Sequence, residues 1–495
     1  MSTSEPIHWP APAGEPHSSD YDLEVNGWPV FVYTARVRAE ILEKPGLWSH
    51  RLDCAGESAA FALFDISEAA TIRLTPTRPF ASAAILPAWA NIEPHVADGC
   101  IQFTIERPQH LTVVLDGSDD RPIHLFAGDP ETNAPRPGDP DVIYFGPGAH
   151  DIRTLDVESG RTVYLAGGAI VRAVLLPGER GEWNEQWQVA FHSGSVLNVD
   201  NAEGVRICGR GILDGSLIPH PGRSLVGINR TRDVKIEGIV LRDSPNWNVV
   251  IRQSQDVTVD DLRIVSGRLN SDGINSVNSR HVSIRRCFVR NHDDSIVVKT
   301  TEPGIPAEEI RVEDCTVWND WGYALGVTYE TRSGVHDILF QRCDILFARH
   351  WSLGIHVSDS ATVGDVVFHD IEIADIARAS RSAGSYAALT DVPYLLRVII
   401  CRDVWGKDTE AGRVRNITLD GVTLYGSEML PSEIRGLDAD HDVRGVSIRN
   451  VRLAGGLPIL DERALRLVRG EFVSGLRLGG PARSGEPLGP ELHLT

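Results

Sequence analysis

Long apolar runs are the first thing this 495-residue sequence lacks. No stretch of eighteen apolar residues occurs, so no membrane-spanning helix is expected. Basic charge is short as well: 48 Lys and Arg stand against 68 Asp and Glu, a formal net charge of −20. Phosphate backbones and anionic lipids attract basic faces, so neither nucleic acid nor a membrane is expected as a partner. Met1 to Pro10 carry no basic start followed by an apolar run, and without that secretory pattern a cytoplasmic protein is expected. The seven cysteines form no Cys-x-x-Cys pair and no zinc spacing, so no metal or other cofactor is expected.

Helical periodicity is missing too, and so is the Leu-x-x-Leu-x-Leu signature of leucine-rich repeats. What recurs instead is a short alternating phrase. It reads Gly204-Val205-Arg206-Ile207, Asp233-Val234-Lys235-Ile236, Asp256-Val257-Thr258-Val259, His281-Val282-Ser283-Ile284 and Glu309-Ile310-Arg311-Val312. It continues at Asp337-Ile338, Asp365-Val366, Asn416-Ile417 and Gly445-Val446. Most steps are 23 to 29 residues; the one of 51, between Val366 and Ile417, is about two periods and holds an insertion or a degenerate coil. A second short β segment follows each phrase and a third comes after a further loop, as at Val249, Gly273, Ile296, Leu325 and Leu353. Three short strands per period define a coil of a right-handed parallel β-helix, in which equivalent residues of successive coils stack roughly 4.8 Å apart. Cys287, Cys315 and Cys343 occupy one slot of this repeat, where other coils hold Ile, Leu or Val, and are read as buried free thiols.

The chain is too long for one ordinary core, and the pattern divides it. Residues 1–140 read as a small antiparallel β-sandwich with a Pro- and Gly-rich linker at Gly128 to Pro140. Residues 141–470 read as the β-helix, with the array evident from Thr162, and 471–495 as a cap and tail. The segment Gly178 to Gln188, with Trp183 and Trp187, reads as an insertion that forms a lid or an interface.

Loops before the third strand carry the chemistry. Successive coils give Asn246-Trp247-Asn248, Asn270-Ser271-Asp272, His292-Asp293-Asp294, Trp321-Gly322-Tyr323 and His350-Trp351-Ser352. Stacking places Asp272 one coil from Asp293 and Asp294, with aromatic residues on both sides. Mutual repulsion in such a cluster raises at least one pKa and leaves a protonated acid beside ionised bases. Glycoside hydrolysis requires that combination, and Trp and Tyr faces suit sugar rings. Spacing alone leaves open which aspartate is acid and which is base, and whether the anomeric carbon is inverted or retained.

Asn270-Ser271-Asp272, then Asp293-Asp294 and Ile296-Val297-Val298-Lys299, with Ser244-Pro245-Asn246-Trp247 one coil earlier, resemble the polygalacturonase clan of glycoside hydrolases. That clan comprises families 28 and 49, the pectin hydrolases and the dextranases, and a small sandwich ahead of the helix resembles the dextranases. The resemblance implies inversion, with Asp293 as general acid and Asp272 and Asp294 activating water; Lys299 matches the clan's lysine after the paired aspartates. Two departures stand out. Gly322-Tyr323-Ala324 occupies the place of a Gly-His-Gly, and Gly354-Ile355-His356-Val357-Ser358 lacks the cations of an Arg-Ile-Lys. Without a cationic clamp a uronate has little to hold it, so a mainly neutral, α-linked substrate is expected. Asn270, Trp247, His292, Lys299, Trp321, Tyr323, Glu330, His350, Trp351 and His356 are candidate substrate-binding residues. The competing readings are a polygalacturonase-type hydrolase, a fructan- or uronate-processing lyase or transferase, and a non-catalytic carbohydrate-binding β-helix. The expected partner is an oligo- or polysaccharide, with self-association open.

Overall fold

In every coil the residue that opens the recurring phrase sits in the left-handed backbone region. Asp233, Asp256, His281, Glu309, Asp337, Asp365 and Asn416 have φ between 51° and 59°, and Gly204 and Gly445 have 69° and 75°. Gly, Asn and Asp reach this region at the lowest steric cost, so the phrase is a corner followed by a strand. The computed structural model, which describes residues 4–37, 57–184, 189–376 and 393–480, stacks these corners directly. Val205, Val234, Val257, Val282, Ile310, Ile338, Val366, Ile417 and Val446 are partners in one continuous parallel ladder. Each is at most 1% exposed, so the alternation turns one side of every strand into a closed core.

The result is the right-handed parallel β-helix expected, with a 21-stranded parallel sheet and an 11-stranded one wrapped around that core. A second set of left-handed residues, among them Gly238, Asp261, Arg286, Asp314, Arg342 and Asp370, bends the larger sheet into two faces. The first coil begins at Val142–Phe145, earlier than Thr162, and Arg477–Gly479 still pairs with the strand Val443–Arg449. Strands therefore continue into the segment read as cap and tail. The 51-residue step is one coil and not two: Val366 pairs directly with Ile417, and the strand Tyr394–Ile400 of the smaller sheet lies between them in the chain. Cys287, Cys315 and Cys343 are buried free thiols that donate to backbone carbonyls at 3.3–3.7 Å. No helix among the described residues is long and apolar enough to cross a membrane.

Ahead of the helix, two five-stranded sheets form the sandwich, antiparallel except where Glu57–Asp65 runs parallel to Ile123–Gly128. It docks on the β-helix through an apolar seam in which Tyr33, Phe61 and Phe126 pack with Ile212, Val240, Phe288 and Trp318. Ion pairs frame the seam, including Arg36–Asp243 at 2.5 Å and Arg210–Asp65 at 3.1 Å. Within it Arg290 donates to His124 Nε2 at 3.1 Å; burial and the Arg290 charge hold that imidazole neutral.

Candidate active site

The 11-stranded sheet carries the site. Its ladder runs Val249, Ile274, Ile296, Leu325, Leu353 and Leu396, and the loops entering these strands form one wall. Buried asparagines hold those loops. Asn248 Nδ2 donates to the carbonyls of Ser271 and Asp272, Asn291 Nδ2 to those of Asp293 and Asp294, and Asn319 Nδ2 to that of Asp293. Three consecutive coils are thereby tied at the points where the aspartates project. Gly322 closes the arrangement from the next coil: its φ is +78°, and a Cβ there would lie 2.8 Å from Asp294 N and Oδ1.

Asp272, Asp293 and Asp294 converge as their spacing indicated, each offering an oxygen within 4.8 Å of the others. Their surroundings differ. Asp294 meets donors only: Tyr323 N–H at 3.0 Å, Thr328 Oγ1 at 2.8 Å and Lys299 Nζ at 3.2 Å. Asp272 accepts from Asn275 Nδ2 at 3.2 Å through Oδ2, while its buried Oδ1 has no hydrogen-bond partner. Asp293 accepts the Asp294 N–H at 2.9 Å. Burial, then the charge of Asp294, pushes Asp293 up to about 7, against the opposing pull of Lys299. Burial and the neighbouring Asp293 also raise Asp272 well above the carboxylate range. The Asp272–Asp293 pair therefore holds a proton near neutral pH.

Lys299 lies under the cluster, 3.0 Å from Glu330 and 3.9 Å from Asp272 besides its contact with Asp294. Burial alone would lower its pKa, but Glu330, Asp294 and Asp272 outweigh that and raise it. A β-bulge makes this possible. Val298 pairs with Val327 and Thr300 with Thr331, so Lys299 faces three residues, Thr328, Tyr329 and Glu330, instead of one. Three carboxylates can also surround a cation, and here the lysine ammonium already supplies that charge. His356, Cys401 and Asp403 bring three further ligand atoms within 4.8 Å of one another. Those atoms are engaged with one another: His356 Nε2 lies 2.9 Å from Asp403 Oδ2 and 3.0 Å from Cys401 Sγ, and His356 Nδ1 is hydrogen-bonded to Tyr323 Oη at 3.1 Å.

A cleft of about 230 Å³ opens above the aspartates. Of the candidate residues, Asp272, Asp293, Asp294, Asn270, Trp247, Lys299, Trp321 and Glu330 line it. The remainder stand behind it. Tyr323 is fully buried with its ring stacked on Trp351 at 4.5 Å, over a Gly354 whose Cβ would enter that ring. His292 and His350 are buried against Trp321, and His356 packs on Tyr329. Sequence reasoning missed Phe191, Pro221, Tyr329 and Trp405, and it placed the remaining lining residue, Asn246, in a site loop without naming it as a candidate. Phe191 comes from the insertion at Gly178, where Glu182–Asn184 and Val189–Phe191 form a hairpin; Trp183 there is exposed, and Trp187 lies outside the described residues. Trp405 comes from the expanded coil, its turn fixed by Asp403 Oδ1, which accepts the N–H groups of Trp405 and Gly406.

Fold and site together define a parallel β-helix protein with an aspartate cluster in an aromatic cleft. Residues 219–393, which contain all three aspartates, match the model of Glycosyl hydrolases family 28, so the resemblance read from the motifs holds. The chain is 21% identical over 293 residues to a probable polygalacturonase of Vitis vinifera, covering 55% of each. It is 28% identical over 160 residues to a polygalacturonase of Saccharomyces cerevisiae, covering 30% of this chain and 44% of the relative. The chain thus spans about half the length of the curated relatives it matches. Among solved structures, Dex49A from Penicillium minioluteum superposes with a TM-score of 0.56 at 13% identity, over 97% of this chain and 92% of its own. An exopolygalacturonase from Thermotoga maritima gives 0.52 at 16% identity, over 69% and 83%. The likeness to Dex49A extends the shared architecture through the sandwich.

Proposed function

We propose that this chain is an inverting glycoside hydrolase that cleaves α-glycosidic bonds of a mainly neutral oligo- or polysaccharide. The observation that carries the reading is the composition of the cleft. Among the described residues its lining contains four carboxylates and a single cation, Lys299, already paired with Asp294 and Glu330. Asp293 is the general acid: it lines the cleft, holds a proton near neutral pH, and protonates the leaving glycosidic oxygen. Asp272 and Asp294 orient and deprotonate the water that attacks the anomeric carbon, and the unpartnered Asp272 Oδ1 is an acceptor for it. Trp247, Trp321 and Trp405 supply the faces against which sugar rings stack.

Electrostatics supports the neutral substrate. A galacturonate brought beside these acids needs a free cation, and among the described residues the lining offers none. Arg397, on the strand next to Trp351–Val357, lies over Trp351 and pairs with Glu433 at 3.1 Å. The second reading, a polygalacturonase-type hydrolase, is favoured by the names of the curated relatives. One experiment separates them: products formed by wild type and Asp293→Asn from dextran, other α-glucans, fructans, polygalacturonate and their oligomers, followed by proton NMR. Release of a β-configured product from a neutral α-glycan, lost in the variant, supports the proposal. Turnover of polygalacturonate alone overturns the substrate, an α-configured first product overturns inversion, and a product unchanged by Asp293→Asn overturns the site.

A further inference from the structure

A cavity larger than the cleft lies remote from the aspartates. A groove of about 890 Å³ runs between the sandwich and the bend of the larger sheet, on a different face from the 11-stranded sheet that carries the cleft. It follows the column of left-handed residues across seven stacked coils, from Gly209 to Asp370, roughly 29 Å at about 4.8 Å per coil. Its volume is at the upper end of ordinary ligand sites, which run from about 300 to 1,000 Å³. The catalytic cleft, at about 230 Å³, falls below that range.

We infer that this groove is a second glycan-binding site, which holds a neutral polysaccharide chain while the cleft engages only a short part of it. The floor carries a built recognition element. Trp89, contributed by the sandwich and 43% exposed, donates its indole N–H to Asp344 Oδ1 at 2.7 Å. That bond fixes the ring at the groove wall, with the Arg107 guanidinium 6.0 Å from its centroid and the rest of its exposed apolar surface available for a sugar to stack on. Asp344 is itself only 8% exposed and sits opposite Glu372 of the next coil. Asp260, 6% exposed, lines the same groove, and its Oδ1 has no hydrogen-bond partner. Burial and Glu372 push Asp344 up to about 8, so it meets a hydroxyl as a neutral carboxyl group with a proton to donate. The sign of charge selects the ligand: nine carboxylates and five arginines line the groove, an excess that disfavours a polyanion. The choice of a glycan as occupant rests on the glycosidase reading of the cleft.

The test is affinity electrophoresis of Asp293→Asn, which leaves polymer intact, through gels containing dextran, pullulan, laminarin, inulin or polygalacturonate. The expected result is retardation by at least one neutral polymer, weakened about tenfold or more by adding Trp89→Ala and largely kept with Trp89→Phe. Circular dichroism confirms that each variant folds. In the active protein, Trp89→Ala is expected to lower polymer cleavage while leaving a short oligosaccharide substrate unaffected. Retardation equal with and without Trp89→Ala, or by no neutral polymer, overturns the inference. Trp89-dependent binding by a protein that hydrolyses nothing sinks the glycosidase reading and leaves the groove standing; hydrolysis without Trp89-dependent binding does the reverse.

Discussion

Asp293→Asn is expected to stabilise the protein at neutral pH while it removes the proposed acid, and the two effects share one cause. The folded state pushes Asp293 from an ordinary 3.8 up to about 7. A carboxyl whose folded pKa lies above its unfolded one contributes no penalty below about pH 3.8. The penalty grows as pH rises between the two values and is complete above about 7, where the folded protein must ionise the group in a half-buried, acidic setting. A shift of about three units corresponds to about 4 kcal/mol at most. Asparagine has the same shape and keeps an oxygen to accept the Asp294 N–H, so the substitution removes the charge and preserves the contact at 2.9 Å. It also removes the second-largest cause of the raised Asp272 pKa. At about 2.1 cal/mol/K of unfolding entropy per residue, a chain of this length unfolding as one unit shifts by about 1 °C per kcal/mol, so a gain of up to about 4 °C is expected. The assay is thermal denaturation of both proteins from pH 4 to 8.5. The difference should be near zero at pH 4 and should increase through pH 7. A difference that does not change with pH, or a wild type that is the more stable at pH 8, would refute the assignment of a strained, proton-holding Asp293.

Three further outcomes follow from the same geometry. Lys299→Met leaves Asp294 and Glu330 without their cation and is expected to cost about 3–5 kcal/mol, read by denaturant unfolding. Because Lys299 lowers the Asp293 pKa, the alkaline limb of any residual pH–rate profile should move upward in that variant. Gly322→Ala forces a Cβ against Asp294 at a left-handed φ; a loss of about 1–3 kcal/mol and a fall in kcat greater than any change in KM are expected. Trp321→Ala strips one wall of the cleft, and its main effect should be a KM raised about tenfold, measured on an oligosaccharide substrate.

The β-helix was legible because its corners and its core obey one rule in the nine coils from Gly204 to Gly445. A residue tolerant of positive φ followed by Val or Ile marks a ladder position, and all nine positions pair in the structure. Convergence of Asp272 with Asp293 and Asp294 followed from the same rule, because stacking converts one period of sequence into one strand spacing. The rule fails where a coil changes length. The 51-residue step looked like two periods because residue count does not separate an added coil from a lengthened loop. Only the direct pairing of Val366 with Ile417 does, and Trp405 enters the cleft from that loop.

Side-chain direction was the other thing spacing did not carry. Tyr323, His350 and His356 belong to the right coils, yet they pack behind Trp321 and Tyr329. An outward position on a strand faces ligand only where no neighbouring ring covers it, and here the loops of adjacent coils do so. The bulge opposite Lys299 is similarly invisible in a list of residues, although it sets the electrostatics of the cluster by placing Glu330 3.0 Å from the ammonium. The docking of the sandwich lies beyond any repeat argument. Ile212, Val240 and Phe288 are outward-facing and apolar, a feature with no explanation within their own coils until Phe61 and Phe126 cover them. That packing brings the loop with Trp89 to Asp344, so the groove proposed to hold glycan exists only in the assembled pair of domains.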